Sequence, residues 1–420
     1  MKYFDSNYFT YKNNKLFCED VSLENIAAET GTPVYVYSKK FFTDRYKEFS
    51  EAFESIQHKI FYASKANYNI NIIKLFNNLG AGIDVNSAGE FYRALKAGVS
   101  PKDMLLTGVG KTDEEIKLGL ENDVNLIKAE SLEEIYVIDK IAKKLDKIAP
   151  LAIRVNPNVD PVTHPYISTG LAENKFGIDE TAALDIFREA SKLGNINLVG
   201  IDMHIGSQIT TVEPYIEATS KLVNIVQTLA KEKIILKHID IGGGIGIKYN
   251  DEKPFSPKQL ADVLIPILTK TNCEIFFEPG RFLTANGGCL VSKVLYTKKN
   301  LEKNFIVVDA SMTDLLRPSI YKSYHHIQPI IKTERTEITA DIVGPVCESG
   351  DFLGKNRTIS ELKRNDLIAV MSAGAYGMVM ASNYNGRKRP AEILVDGKNV
   401  KIIRERETYN QLIQNEEIVL

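Results

Sequence analysis

Four cysteines in 420 residues, none in a C-x-x-C pair, are too few and too scattered for a disulfide framework or a zinc site. Cys18, Cys273, Cys289 and Cys347 read instead as reduced thiols, mostly buried, in a cytoplasmic protein. Histidine is equally scarce. The six residues show no H-x-x-x-H spacing, and the adjacent His325 and His326 would point to opposite faces of a strand. The expectation is a chain that holds no metal. No apolar stretch approaches the roughly 18 residues of a membrane span. The start, Met1-Lys-Tyr-Phe-Asp-Ser-Asn7, has neither the apolar segment nor the cleavage site of a secretory leader. An excess of either charge is also missing. A formal net charge of −2 gives no electrostatic case for nucleic acid or an anionic membrane. What is present is ordinary for a globular enzyme: 44% hydrophobic and 25% charged residues. The length suits two or three domains, or one large barrel with a partner domain.

From residue 59 to 279, short β-like runs alternate with amphipathic helical stretches. The runs are Ile60–Ser64, Gly82–Val85, Met104–Thr107, Asn125–Ala129, Leu151–Val155, Leu198–His204, His238–Ile241 and Ile275–Glu278. Between them, Ser131–Leu145 places Leu132, Ile135, Ile138, Ile141, Ala142 and Leu145 on one helical face. Thr181–Leu193 and Pro214–Lys231 follow the same rhythm. Helix starts are marked by Ser87, Thr112 with Glu115, Ser131 with Glu134, and Ser256 with Pro257. Eight strand–helix units predict a TIM-type (β/α)8 barrel. It is preferred to a doubly wound open sheet because no G-x-G-x-x-G opens the first unit.

Beyond residue 280 the rhythm changes. Leu290–Tyr296, Phe305–Val308, Ile327–Ile331, Ile338–Val343, Asp366–Met371 and Ala391–Val395 are short β-runs broken by Gly, Asn, Asp and Pro. They predict a C-terminal β-sandwich or β-barrel domain. The expected boundaries are 36–280 for the α/β barrel, with 1–35 and 281–420 forming the β domain.

In a barrel enzyme, chemistry sits where strands end. Lys65 follows the first strand in Phe61-Tyr-Ala-Ser-Lys-Ala-Asn67. A lysine in a partly dry pocket has a lowered pKa, and its free amine attacks an aldehyde carbon. Asp84 and Thr107 end the second and third strands, Arg154 lies on the fifth, and His204-Ile-Gly-Ser-Gln208 ends the sixth. Gly242-Gly-Gly-Ile-Gly246 ends the seventh, where it serves either as a plain turn or as a row of N–H groups for a phosphate. Glu278 at the eighth needs a cation or donor if buried. A protonated ring nitrogen would be one. His204 serves as a stacking surface or as a core histidine. Arg154 orients a ligand or neutralises a carboxylate such as Asp84 or Glu278.

The segments Tyr62-Ala-Ser-Lys-Ala-Asn67, His204–Gln208, Gly242–Gly246 and Glu278-Pro-Gly-Arg281 resemble the fold-type III pyridoxal-phosphate decarboxylases. The resemblance continues through Gly344-Pro-Val-Cys-Glu-Ser-Gly-Asp351 and Ala373-Gly-Ala-Tyr-Gly377. Within that group, three further segments resemble the diaminopimelate decarboxylase family. They are Thr163–Gly170 with Lys175-Phe-Gly177, Arg317-Pro-Ser-Ile-Tyr321, and Ala381-Ser-Asn-Tyr-Asn-Gly386.

The resemblance implies decarboxylation of meso-2,6-diaminopimelate to L-lysine with pyridoxal 5'-phosphate. Lys65 would be the Schiff-base lysine, His204 would stack on the ring, and Glu278 would bind the ring nitrogen. Ser207, Gly243, Gly244, Gly280 and Tyr376 would hold the phosphate, with Asp84, Arg154 and Arg281 also in the cofactor site. Arg281, Arg317, Tyr321 and Tyr376 would meet the substrate, and Glu348 would bind its distal ammonium. Cys347 would be the general acid. The family is a homodimer in which Cys347 and Glu348 complete the partner subunit's site. Three other readings compete: a decarboxylase of a carboxynorspermidine-like substrate, a racemase, and a non-enzymatic pyridoxal-phosphate-binding protein. Glu278 and Cys347 count against a racemase, and the β domain against a barrel-only binding protein.

Overall fold

A computed structural model describes residues 3–161, 170 and 174–420. Eight parallel strands close on themselves: β1 (His58–Ala63), β2 (Gly82–Val85), β3 (Met104–Leu106), β4 (Leu126–Ala129), β5 (Ala149–Asn156), β6 (Ile196–Asp202), β7 (His238–Asp240) and β8 (Glu274–Phe277). Neighbours in the barrel are neighbours in sequence, and β8 closes on β1 through Phe276 opposite Lys59. A two-residue strand, Ile178–Asp179, adds to the end of β5 in parallel register with Val155 and Asn156. Phe61, Leu105, Leu126, Ala152, Val199 and Phe276 form one buried cluster contributed by six of the strands. Such an interior is a packed core rather than a pore.

The helices begin where the sequence marks them. Ser87, Thr112, Ser131 and Ser256 each accept a backbone N–H from three residues on, and Thr112 with Glu115 and Ser256 with Gln259 form complete capping boxes. Each cap satisfies a donor that would otherwise be orphaned and contributes about 1 kcal/mol. The expected Ser131–Leu145 helix spans Leu132–Lys144, with Ile135, Ile138, Ile141 and Ala142 buried.

The chain divides into two compact units. Arg45–Ile247 with Lys253–Phe282 carries the barrel, and Met1–Asp44, Lys248–Glu252 and Leu283–Leu420 make up the other. In the second unit, a mixed sheet of nine strands runs Phe352–Ser360, Glu337–Val343, Lys303–Val308, Gly288–Asn300, Val34–Ser38, Ala391–Asp396 and Asn399–Arg404. Leu367–Val370 also pairs with Gly288–Asn300, and Ile327–Pro329 with Leu367–Val370. Val34–Ser38 is buried at all five positions between two strands from the far end of the chain. An N-terminal three-stranded sheet, Phe9–Ser22, packs Phe9, Leu16 and Cys18 against Val34, Val36, Cys289, Val291 and Ile393. No helix among the described residues is long and apolar enough to cross a membrane.

Candidate active site

Lys65 stands in the single 3₁₀ turn Ser64–Ala66 that caps β1. The Ser64 hydroxyl fixes that turn, its one proton shared between the Asp84 carbonyl at 2.8 Å and Glu90 Oε2 at 2.9 Å. Gly280 comes from the end of β8 and packs beside the same turn, where a Cβ would lie 3.0 Å from that of Ala66. The Lys65 side chain is 38% exposed, with Asp84 Oδ2 3.8 Å from its ammonium nitrogen. Its setting is a part-exposed mouth with a buried carboxylate beside it. Asp84 is fully buried and accepts from Thr107 Oγ1 at 2.6 Å. Burial and the Glu278 charge push its carboxyl up to about 7, against the pull of Lys65, Lys128 and Thr107.

The barrel interior below that mouth holds a buried cation. Lys128 of β4 is 1% exposed and donates to Asp202 Oδ1 at 2.7 Å, Asp240 Oδ2 at 2.6 Å and Glu278 Oε1 at 2.6 Å. These acids end β6 and β7 and follow β8, so four strands meet at one ammonium. Burial alone would raise the Glu278 carboxyl, but Lys128 and then Lys65 hold it below the ordinary carboxylate range. Burial and the Glu278 charge push Asp240 upward, and burial also raises Asp202. Lys128 itself is driven well above the ordinary lysine range by the surrounding carboxylates, in spite of its burial. Asp202, Asp240 and Glu278 have oxygens within 4.8 Å of one another, a donor set suited to a metal ion. The cation seated among them is the Lys128 ammonium.

His204 follows β6, and its Nδ1 accepts the Gly243 N–H at 3.2 Å, which assigns the ring proton to Nε2. Burial, together with the charges of Lys65, Arg154 and Lys128, holds the ring well below its ordinary pKa, so it is neutral at neutral pH. The glycine run is required by packing on its inner side. A Cβ on Gly243 would run into the Glu278 carbonyl, and Gly244, at φ +93°, into the Gly206 carbonyl. Tyr215 Oη ties the run down by donating to the Gly243 carbonyl at 2.7 Å. Ser207 accepts from Arg281 Nη2 at 2.8 Å, which joins the loops after β6 and β8.

Arg154 neutralises a carboxylate, one of the two alternatives for it, and the carboxylate it bonds is Glu130. Its guanidinium pairs with neither Asp84 nor Glu278. It donates to Glu130 Oε1 at 3.0 Å and lies over the Phe176 ring, with Asp202 Oδ2 at 4.0 Å. Glu130 also accepts the Gly177 N–H at 3.0 Å, which fixes the start of the segment before the short Ile178 strand.

In the other unit, Arg317 opens a five-residue helix, Arg317–Tyr321, and is 5% exposed. The rings of Tyr249, Tyr321 and Tyr376 lie 5.3, 5.8 and 5.9 Å from its guanidinium carbon. Its Nε donates to His325 Nε2 at 3.4 Å, while His325 Nδ1 bonds the Met371 carbonyl at 2.9 Å. Tyr376 is held at φ +55°, a left-handed conformation uncommon for an aromatic residue. Cys347 and Glu348 are exposed on the loop Gly344–Asp351. Asp351 anchors that loop from beneath, accepting the N–H groups of Met312 at 2.6 Å and Val346 at 2.7 Å. Asn385 Oδ1 takes the Cys347 N–H at 3.0 Å. Glu348 raises the pKa of the Tyr384 hydroxyl, to which it is hydrogen-bonded.

Residues 40–285 match the pyridoxal-binding domain of the pyridoxal-dependent decarboxylases. The chain is 47% identical to the diaminopimelate decarboxylase of Aquifex aeolicus over 97% of both chains. The chain belongs to the diaminopimelate decarboxylase family. Two solved members of the family, each in complex with L-lysine, superimpose closely. The Helicobacter pylori enzyme gives a TM-score of 0.91 at 40% identity, covering 94% of this chain and 98% of its own. The M. jannaschii enzyme gives 0.94 at 37% identity, covering 98% of both.

Within the barrel unit the structure gathers Lys65, Asp84, Arg154, His204, Ser207, Gly243, Gly244, Glu278, Gly280 and Arg281 at the C-terminal ends of the strands. Within the other unit it gathers Arg317, Tyr321 and Tyr376. The family segment Thr163–Gly170 lies outside the described residues except for Gly170. Sequence reasoning missed Lys128, Asp202 and Asp240, and it placed Glu130 at the end of the fourth strand without giving it a partner. The available signal was a charged residue inside an otherwise apolar barrel strand, as in Leu126-Ile-Lys-Ala129.

Proposed function

We propose that this protein decarboxylates meso-2,6-diaminopimelate to L-lysine and carbon dioxide with pyridoxal 5'-phosphate, the last step of lysine formation by the diaminopimelate route. The observation that carries the reading is an ionised, buried Glu278 in the same barrel mouth as Lys65. The donor set fits the cofactor group by group. Lys65 offers an amine for its aldehyde carbon, Glu278 an anion for its ring nitrogen, and His204 a neutral flat face for its ring. Ser207, Gly243, Gly244, Gly280 and Arg281 offer donors and close backbone approach for its phosphate, and the family resemblance adds Tyr376 to that task. When bound, the cofactor supplies an electron sink for the pair left on Cα as carbon dioxide departs.

The chain's own residues do the rest. Glu278 keeps a proton on the ring nitrogen, which strengthens the sink and favours a decarboxylase over a racemase. Asp84 and Arg154 set the charge around the mouth. By the family resemblance Arg281, Arg317 and Tyr321 take the distal carboxylate, and the Arg317 guanidinium, which lies over tyrosine rings, is able to form forked bonds. A substrate with a distal cation and no distal carboxylate would be repelled by the arginines. Glu348 takes the distal ammonium, and the Cys347 thiol delivers the proton that replaces carbon dioxide at Cα. We read the working form as a homodimer in which Cys347 and Glu348 serve the partner's site, in the cytoplasm, where the four unpaired thiols remain reduced.

The test is carbon dioxide release from meso-diaminopimelate, with and without added cofactor. Turnover that depends on cofactor is expected. Turnover of carboxynorspermidine with none of diaminopimelate would replace the reading.

A further inference from the structure

The proposed reaction uses Glu278 but gives no task to the largest buried charge beneath it. Lys128 is a fully desolvated cation held by three carboxylates from three different strand ends. A buried ammonium of this kind is costly unless its partners answer it, and these do. We propose that Lys128 is a positioning residue for the cofactor's ring nitrogen: its ammonium holds Oε1 of Glu278, fixing the carboxylate's charge and rotamer and leaving Oε2 for the ring. The inference rests on the reading that Glu278 receives that nitrogen.

The geometry supports this in two ways. First, a carboxylate among carboxylates needs a resident cation to stay ionised. Asp84, Asp202 and Asp240 face Glu278 from β2, β6 and β7, and Lys65, Arg154 and Lys128 oppose them. Lys128 bonds Glu278 directly, at 2.6 Å. Lys65 is the amine committed to the cofactor's aldehyde carbon, and Arg154 is engaged by Glu130. Second, the same ammonium reaches the phosphate end. Lys128 bonds Asp240 Oδ2, and Asp240 Oδ1 accepts the Gly242 N–H at 2.7 Å. The Glu278 N–H in turn donates to the Gly242 carbonyl at 2.7 Å. Lys128 thus sets the distance between the ring-nitrogen carboxylate and the glycine run as one rigid unit.

The experiment compares Lys128→Met, Lys128→Arg, Glu278→Gln and the Lys128→Met/Glu278→Gln double variant as holoenzymes. It measures kcat against pH, cofactor dissociation by equilibrium dialysis, and the visible absorption of the bound cofactor against pH. Lys128→Met should lower kcat about 10- to 100-fold, as expected for loss of one charge-assisted bond. Its acid limb should move up by about one to three pH units, because Glu278 then ionises only at higher pH. Lys128→Arg, which keeps the charge, should return the limb toward the natural position. The double variant should be no worse than Glu278→Gln alone, because Lys128 acts through Glu278. A Lys128→Met enzyme with the natural pH profile overturns the proposal, as do Met and Arg variants with the same profile or additive losses in the double variant. If Lys128→Met fails to fold, Lys128→Met/Asp202→Asn removes one charge of each sign and gives the same reading. Natural kcat and cofactor affinity in Glu278→Gln would overturn the reading of Glu278 itself. Impairment there with none in Lys128→Met would overturn the present inference alone.

Discussion

Asp351 is the anchor through which the Cys347–Glu348 loop can be loosened without touching either residue. It is 4% exposed, and its two carboxylate oxygens take separate backbone donors, Met312 N–H on Oδ1 and Val346 N–H on Oδ2. Asp351→Asn keeps the shape but leaves only one acceptor, and its amide nitrogen then faces an N–H. One charge-assisted bond is lost, about 1.5–3 kcal/mol. That corresponds to roughly 10- to 150-fold more frequent opening of the loop. Amide hydrogen exchange reads this directly at Met312 and Val346, which should lose protection by that factor while amides in β1 to β8 keep theirs. In parallel, kcat should fall and cofactor affinity should hold, because the cofactor's proposed ligands include no residue of this loop. Natural exchange at both amides would refute the anchoring argument. Faster exchange with natural kcat would refute the role given to Cys347.

Lys65→Ala should abolish turnover and allow the cofactor to be dialysed away, as checked by absorbance after gel filtration; natural activity would sink the assignment. Arg317→Lys replaces a planar fork by a point charge and should raise KM for diaminopimelate about 10- to 100-fold, with cofactor affinity unchanged. Asp84→Asn tests the raised carboxyl. A group at about 7 when folded and 3.8 when unfolded binds more protons in the native state. It therefore costs stability progressively, roughly 1.4 kcal/mol per pH unit, as pH rises between those values. Urea titrations across that window should show a shallower decline for the variant than for the natural chain, and parallel curves would contradict the assignment.

The strand ends were legible because each barrel strand is a short apolar run closed by a polar or glycine residue, as in Phe61-Tyr-Ala-Ser-Lys65. Helix starts at Thr112 and Ser256 were legible because capping is a local, side-chain-to-backbone bond. The Lys128 cluster was not. Lys128, Asp202, Asp240 and Glu278 lie far apart in the chain, and only barrel closure makes them neighbours. The three acids each look like an ordinary charge at a strand end, and Lys128, although a charge inside an apolar strand, names no partner by itself. Arg154 was legible as a cation answering a carboxylate at the barrel mouth, but its direct partner Glu130 was not, because nothing local distinguishes Glu130 from Asp84 or Glu278. The strands Phe352–Ser360 and Asn399–Arg404 escaped the β-pattern for a different reason. Both are edge strands, and neither alternates strictly between buried and exposed positions, so no regular apolar pattern is imposed on them.

The central placement of Val34–Ser38 sets a timetable for synthesis. The strand leaves the ribosome early, yet its two neighbours are Val291–Gly288 on one side and Ala391–Val395 on the other. Arg45–Ile247 is unbroken in sequence, so most of the barrel is available to fold while this strand waits with both edges bare. Val-Tyr-Val-Tyr-Ser is apolar and β-prone, a poor segment to leave unpaired. A chain interrupted between about residue 282 and about residue 395 therefore releases a barrel with this strand not yet paired on both edges. Nascent-chain length, more than the stability of the finished enzyme, should decide how much of this protein is lost to aggregation.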